Sequence, residues 1–187
     1  MKILQLLPEL NIGGVERGTI DLAKILVEEG HKSFVISNGG RLVSQLEKNG
    51  SSHVSMPIHK KSLKTFFLSS ELAKHIEDIS PDIVHVRSRM PAWVNFFALK
   101  KLKNKPICVS TFHGLYSFPT YSQVMSFTDH SIAISETVKE YMQLKYQIPN
   151  EKITVIPRGC DMNIFNNNPL DKEWIISFLK QFPLFLY

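Results

Sequence analysis

Cysteine is scarce in this chain, and long hydrophobic runs are missing. Only 2 Cys occur among 187 residues, which excludes the disulfide-stapled scaffold of a small secreted domain. No apolar run approaches the roughly 18–20 residues that a membrane-spanning helix needs. The amino-terminal apolar stretch is too short for a signal peptide and has no small-residue cleavage site. We therefore expect a protein of the reducing cytoplasm.

Metal-binding and nucleic-acid-reading patterns are missing as well. No His, Cys, Asp or Glu residues have the spacing of metal ligands, so we expect no bound metal. The formal net charge is +5, and lysines gather at Lys60-Lys61-Lys64 and Lys100-Lys101-Lys103-Lys105. No nucleic-acid-binding motif accompanies them, so no nucleic-acid partner is expected. We interpret the lysines as solvated helix surfaces; the alternative is a peripheral contact with anionic lipid on the inner face of the cytoplasmic membrane.

The chain does have enough apolar residues for a core, at 43% hydrophobic with 12 Phe, which excludes disorder. Short runs rich in Ile and Val alternate with longer helical patterns. The predicted strands are 2–7, 33–37, 53–58, 82–87, 106–112, 131–134 and 152–156. The predicted helices are 14–29, 41–48, 62–79, 91–103, 121–127 and 135–146. This alternation predicts an α/β fold with a doubly wound, mainly parallel sheet of about seven strands.

Ligands of such sheets bind at the carboxyl ends of the strands, so the residues directly after each strand are the candidates. Gly13 and Gly14 follow the first strand and open a helix, where free backbone N–H groups favour a phosphate. The alternative is a tight turn without a ligand. The second strand ends in Ser37-Asn38 rather than in Asp or Glu, and no G-x-G-x-x-G is present. Both observations disfavour a nicotinamide oxidoreductase.

Two later strands are followed by polar side chains. Arg87-Ser88-Arg89 comes after the fourth strand, where paired guanidinium donors suit a phosphate or a carboxylated sugar; the alternative is a surface ion pair. His113 follows the fifth strand and can exchange a proton with a hydroxyl near neutral pH, although a packing role is the alternative. His85 lies in the same strand as Arg87 and is expected to point away from it.

Four segments, taken in order, resemble the N-terminal half of a family 4 glycosyltransferase of the GT-B fold. They are Gly13-Gly14-Val15-Glu16-Arg17, Asp82-Ile83-Val84-His85 with Arg87-Ser88-Arg89-Met90-Pro91-Ala92-Trp93, Phe112-His113-Gly114-Leu115-Tyr116, and Glu151-Lys152-Ile153-Thr154-Val155-Ile156-Pro157-Arg158-Gly159. The Arg-Ser-Arg-x-Pro-Ala-Trp form is similar to a subgroup associated with lipopolysaccharide-core synthesis.

The resemblance implies two domains, one that binds the acceptor and one that binds the donor. Residues 1–165 would form a Rossmann-like, acceptor-binding domain, and residues 166–187 a hinge and the start of a C-terminal domain that holds the nucleotide-sugar donor. Transfer would retain the anomeric configuration without a cofactor or a metal. The Glu-x7-Glu pair of the family's second domain does not occur in this sequence. We therefore expect little or no transfer by the isolated chain, with a separate donor domain as a further partner.

The resemblance also assigns roles to single residues. Gly13 and Gly14 would face the donor phosphates and the reacting sugar, His113 would be the active-site histidine, and Arg158 would face the cleft near the hinge. The acceptor, a glycan or glycolipid, would be bound by Glu16, Arg87, Ser88, Arg89 and Tyr116. Two other functions stay open: a non-catalytic module that binds a glycan or a lipid head group, and a fragment of a nucleotide-sugar epimerase with the same architecture.

Overall fold

The structure, a computed structural model, describes residues 1–60, 62–117 and 119–159. Its centre is one sheet of seven strands: β1 (Lys2–Leu6), β2 (Lys32–Ser37), β3 (Ser52–Ser55), β4 (Ile83–Val86), β5 (Ile107–Phe112), β6 (His130–Ala133) and β7 (Ile153–Val155). Every adjacent pair of strands is parallel. Their order is β3-β2-β1-β4-β5-β6-β7, so the winding direction reverses between β1 and β4. The predicted fold class is confirmed.

Helices connect the strands on both faces of the sheet. They are α1 (Gly14–Glu28), α2 (Val43–Lys48), α3 (Leu63–Ile79), α4 (Arg89–Leu99), α5 (Pro119–Ser122) and α6 (Glu136–Tyr146), with 3-10 turns at Gln123–Ser126 and Asn150–Lys152. Ser135 caps α6 as its position suggests, because its Oγ accepts a hydrogen bond of 3.2 Å from the Val138 N–H. None of the helices in the described part of the chain has the length and hydrophobicity to cross a bilayer.

Most element boundaries differ from the sequence prediction by one or two residues, and three elements differ more. Helix α4 begins at Arg89 rather than at residue 91 and ends at Leu99 rather than at 103. Its start lies before Pro91 because a proline in the first turn of a helix lacks only an N–H that has no partner there. Strand β3 ends at Ser55, two residues before Pro57, which has no N–H for the ladder. The predicted helix 121–127 is the short α5 followed by a 3-10 turn.

The apolar core lies in two layers, one on each face of the sheet. Alternate residues of a strand point to opposite faces: Ile36 of β2 packs with the larger cluster, which includes residues of α3, α4 and α6, and Val35 packs with residues of α1 and α2. Burying each such side chain contributes about 1.5–3 kcal/mol. Met1–Pro157 form one compact unit. The predicted domain boundary between residues 165 and 166 falls outside the described residues and stays a prediction.

Candidate functional site

Three of the predicted site segments come together at the carboxyl edge of the sheet. The Gly13-Gly14 loop follows β1, Arg87-Ser88-Arg89 follows β4, and His113 follows β5. These strands are neighbours in the order β1-β4-β5, so their carboxyl ends lie side by side beside the point where the winding reverses. This is the position at which doubly wound sheets bind ligands.

Gly13 forms the start of helix α1, and its missing side chain makes room for Glu16. Gly13 is the N-cap in an extended conformation, and its carbonyl accepts from the Arg17 N–H at 2.9 Å. A Cβ on Gly13 would collide with the Glu16 carboxylate. A negative charge here is stabilised by the helix dipole. The structure thus places Glu16 at the helix start, beside the N–H groups predicted to face a phosphate.

The loop after β2 supports the loop after β1. The Leu10 N–H donates to the Gly39 carbonyl at 2.7 Å, and the Leu42 N–H donates to the Leu10 carbonyl at 2.9 Å. Gly40 has a φ of +143°, and a Cβ there would lie 2.5 Å from the Leu10 carbonyl carbon. Because only glycine fits this close approach, the loops after β1 and β2 pack directly against each other at Leu10 and Gly40. Sequence reasoning uses residues 37–40 only to exclude a ribose-binding carboxylate and misses this contact.

Arg87 lies inside the domain, between the sheet and α1. Its side chain is buried at 7% exposure, and its Nη1 donates to the Gln5 Oε1 at 3.1 Å. Gln5 in turn donates from Nε2 to the Thr19 carbonyl of α1 at 3.2 Å. A Cβ on Gly18 would lie 3.2 Å from Arg87 Nη2, so the glycine leaves space for the guanidinium. A polar Gln5 within the apolar run Ile-Leu-Gln-Leu-Leu is the available sequence signal for this buried network.

His85 faces Arg87 rather than pointing away from it, so that prediction is wrong. The two residues are two positions apart, and alternate residues of an extended chain share one face. His85 Nε2 lies 2.7 Å from the Thr111 Oγ1 of β5. Burial, then the charges of Arg87 and His113, lower the pKa of His85 to about 3. His85 is therefore a neutral imidazole that hydrogen-bonds across β4 and β5.

His113 is half-buried at the end of β5, and its backbone is tied to the loop that follows. Its N–H donates to the Tyr116 hydroxyl at 3.3 Å, and burial raises the pKa of Tyr116. The Tyr116 carbonyl accepts a hydrogen bond of 2.5 Å from the Tyr141 hydroxyl of α6. His113 and Tyr116, both predicted site residues, are thus held together by one short loop.

Arg89 lies across the loop after β5. Its guanidinium carbon is 5.1 Å from the centre of the Tyr116 ring and 5.5 Å from that of Tyr121. Its Nη1 donates to the Ser117 carbonyl at 3.2 Å and to the Ser122 Oγ at 3.4 Å. The structure therefore brings two predicted acceptor residues, Arg89 and Tyr116, into contact, and Arg89 stabilises the loop that carries the second.

Ser88 and Arg158 complete the predicted set. Ser88 is half-buried and starts α4 in an extended conformation without a capping bond from its side chain. Arg158 lies beyond the compact unit Met1–Pro157, so its role at a cleft stays a prediction. Among the described residues, no three His, Cys, Asp or Glu side chains lie close enough to share a metal ion.

Comparisons with known proteins identify a matching family and similar solved structures. A sequence model of Glycosyltransferase Family 4 matches residues 12–164. The crystal structure of a glycosyltransferase from Rickettsia africae ESF-5 is similar with a TM-score of 0.76 and 36% identity, over 97% of this chain and 49% of that one. One subunit of the human phosphatidylinositol N-acetylglucosaminyltransferase is 28% identical in an alignment of 188 positions, which covers 90% of this chain and 38% of the human protein.

An epimerase has the same fold. UDP-GlcNAc 2-epimerase from Neisseria meningitidis is similar with a TM-score of 0.59 and 19% identity, over 98% of this chain and 54% of that one. The fold alone therefore does not separate a transferase from the epimerase alternative. The chain spans about half the length of both solved structures.

Proposed function

Because the chain belongs to Glycosyltransferase Family 4, we propose that it is the acceptor-binding half of a retaining glycosyltransferase. The observation that carries this proposal is the meeting of the Gly13-Gly14 loop, Arg87-Ser88-Arg89 and His113 at one edge of the sheet, at its winding reversal. The family match also favours a transferase over an epimerase, although the two share the fold.

In the proposed reaction, the sugar moves from a nucleotide-sugar to a hydroxyl of the acceptor. His113 positions the reacting hydroxyl or contacts the transferred sugar, and the backbone N–H groups at Gly13 and Gly14 face the donor phosphates. Arg87 contributes to the departure of the diphosphate. Its buried positive charge near the carboxyl edge of the sheet stabilises the negative charge that develops on the leaving group. Neither a metal nor a cofactor is required in this proposal.

We propose a lipid-linked cell-envelope glycan, of the lipopolysaccharide type, as the acceptor. The Arg-Ser-Arg-x-Pro-Ala-Trp sequence supports this choice through its resemblance to the lipopolysaccharide-core subgroup. The human relative is named for a lipid acceptor, phosphatidylinositol, which agrees with an acceptor that carries a lipid. Ser88 and Tyr116 are the proposed contacts to the acceptor, with Glu16 and Arg89 beside them.

The test joins this chain to the half of the Rickettsia africae glycosyltransferase that the match does not cover. The hybrid is incubated with radiolabelled nucleotide-sugars and lipid extracts of bacterial envelopes, and circular dichroism checks its folding. We expect labelled glycolipid from the hybrid, and none from the 187-residue chain alone or from the hybrid with His113→Ala. The control is Leu144→Ser, at a position on α6 that is 79% exposed, which should leave transfer unchanged.

Each other outcome contradicts a different part of the proposal. Robust transfer by the 187-residue chain alone would show that no donor-binding half is needed. Interconversion of UDP-GlcNAc with its 2-epimer, without transfer, would support the epimerase alternative. Glycan binding by a folded hybrid that transfers no sugar would support a binding module.

A further inference from the structure

The loop after β5 is tied to helix α6 through the main chain of Tyr116. The Tyr141 hydroxyl of α6 donates to the Tyr116 carbonyl at 2.5 Å, across 25 positions of the sequence. The Tyr116 hydroxyl itself accepts from the His113 N–H at 3.3 Å. Tyr116 therefore connects His113 to α6, its hydroxyl meeting the first and its carbonyl the second. None of the predicted site residues lies on α6.

The direction of the hydrogen bonds follows from a count of hydroxyl protons. A carbonyl oxygen only accepts, so the single hydroxyl proton of Tyr141 is used at Tyr116. The Tyr146 hydroxyl lies 3.3 Å from that of Tyr141, and it is the donor of this pair because Tyr141 has no second proton. The bonds thus run in one direction, from Tyr146 through Tyr141 to the Tyr116 carbonyl. Each hydroxyl that both accepts and donates is polarised, which strengthens the bond it donates.

Aromatic packing holds the two hydroxyls of α6 in place. The rings of Tyr141 and Tyr146 are 5.6 Å apart between centroids in an edge-to-face arrangement, and the Tyr146 ring is 5.5 Å from that of Phe112. Phe112 is the fully buried last residue of β5, and its ring is 5.4 Å from that of Tyr116. The donor to the loop is therefore carried by a ring that packs beside the core.

Helix α6 is itself fixed at both ends. Ser135 caps its start, and Gln147 ends it in the left-handed conformation with a φ of 53°. Val138 and Met142 are buried in the same core cluster as Phe112. Side chains on such an element hold a site more precisely than side chains on a loop.

We propose that Tyr141 is a positioning residue, which sets the place of His113 at the carboxyl edge of the sheet by fixing the Tyr116 carbonyl. Without the Tyr141 hydroxyl, this partly buried carbonyl loses a donor, and the Tyr116 hydroxyl moves with it, away from the His113 N–H. Arg89 of α4 contacts the same loop, so the loop would be held by one helix instead of two. The proposal rests on the proposed function only in that His113 is the active-site histidine.

The test uses NMR of the isotope-labelled 187-residue chain, with circular dichroism to check folding. Tyr141→Phe deletes one oxygen and keeps the ring. We expect the amide proton of His113 to exchange with solvent about tenfold faster, whereas the amides of β1 change by less than about twofold. The imidazole signals of His113 should shift, and those of His130, at the start of β6, should not. Tyr146→Phe removes the donor to Tyr141 and should have a smaller effect of the same kind.

The matched control is Tyr121→Phe, another deletion of one oxygen. The Tyr121 hydroxyl donates to the Met90 Sδ at 3.3 Å, which is a weak acceptor. The ring contact between Tyr121 and Arg89 does not need the hydroxyl. We expect amide exchange at His113 to stay within about twofold of the wild type, with unchanged imidazole signals.

A role in packing alone would give a different result. Tyr141→Phe would then speed exchange equally throughout the domain and leave the imidazole signals of His113 unchanged, which would overturn the proposal. An equal effect of Tyr121→Phe at His113 would also overturn it. If Tyr141→Phe does not fold, the result for Tyr146→Phe decides, and the absence of any change at His113 refutes the positioning role.

These measurements need no substrate, so they are independent of the proposed reaction. Sugar transfer by the hybrid with His113→Ala would refute the proposed function and leave the position of His113 as measured. Unchanged imidazole signals of His113 in Tyr141→Phe would refute the positioning role even if the hybrid transfers sugar.

Discussion

Arg87 and Gln5 form a hydrogen bond of 3.1 Å across 82 positions of the sequence, inside the layer between the sheet and α1. Gln5 is completely buried, and its amide also donates to the Thr19 carbonyl of α1. One side chain therefore links strand β1, helix α1 and the guanidinium that follows β4. The position of the Arg87 guanidinium at the carboxyl edge of the sheet therefore depends on Gln5, which lies within β1.

Replacing Gln5 with leucine should destabilise the domain strongly. Gln5→Leu keeps the size of the side chain but removes both of its hydrogen bonds. The buried Arg87 guanidinium loses an acceptor, and the Thr19 carbonyl loses a donor. We expect the free energy of unfolding to fall by about 2–4 kcal/mol, measured by urea denaturation. Gln45→Leu on the exposed surface of α2 is the control, with a change within about 0.5 kcal/mol. Equal effects of the two variants would show that the Gln5–Arg87 contact contributes little.

The two glycines after β2 should differ in how they tolerate alanine. Gly40→Ala places a methyl group 2.5 Å from the Leu10 carbonyl carbon at a φ of +143°, and should cost about 3 kcal/mol or more. Gly39→Ala has a φ of +90°, but no described atom lies within 4 Å of its Cβ, so only the backbone strain of about 1–2 kcal/mol remains. Thermal unfolding of both variants measures the difference, and a larger loss for Gly39→Ala would contradict the packing of the two loops.

The stability of the domain should rise between about pH 3 and pH 6.5 because of His85. The pKa of His85 is lowered to about 3 in the folded protein, chiefly by burial and then by Arg87 and His113, whereas an unfolded histidine titrates near 6.5. The unfolded state thus binds the extra proton in this interval, and folding is favoured as pH increases. The contribution is on the order of several kcal/mol.

The measurement is urea denaturation of the wild type and of His85→Gln at about pH 5 and about pH 7.5, on either side of the ordinary histidine pKa. Glutamine keeps a polar partner for Thr111 but takes up no proton in this interval. We expect the wild type to lose more stability than His85→Gln on acidification. The prediction is refuted if both lose the same amount.

Removing Arg89 should loosen the loop between β5 and α5. Arg89→Ala deletes the bonds to Ser117 and Ser122 and the contacts with two tyrosine rings. We expect proteolytic cleavage at residues 113–117 to become about tenfold faster. Arg89→Lys should not restore protection, because an ammonium group lacks the planar fork. Arg17→Ala on exposed α1 is the control, and an equal increase there would argue against a role of Arg89 in holding the loop.

The strands and the edge that they form could be predicted from the sequence, but the direction of individual side chains could not. Runs such as Ser-Phe-Val-Ile-Ser (33–37) are buried on both faces, and their apolar composition marks the strand directly. The burial of Arg87 depends on Gln5 and Gly18, residues far away in the chain, and no local spacing reveals that contact. The wrong prediction for His85 has another cause: residues two apart in a strand share one face, so the spacing itself places His85 and Arg87 on the same side.

The lysines near the end of α4 show the same limit. Lys100, Lys101, Lys103 and Lys105 form one cluster in the sequence, whereas in the structure Lys101 donates to Ser69 and Ser70 of α3 and Lys100 lies over the Phe96 ring. The partner of each lysine depends on how α3 packs against α4, which no local spacing reveals.

The bond from Gln5 to α1 also selects the position of that helix. Gln5 belongs to β1, so its bond to Arg87 is made within the layer of the sheet, and only its bond to the Thr19 carbonyl depends on α1. Docking of α1 in another register would leave the buried Gln5 amide without that carbonyl, at a cost of about 1–3 kcal/mol. The native register of α1 is thus the one in which this donor is satisfied.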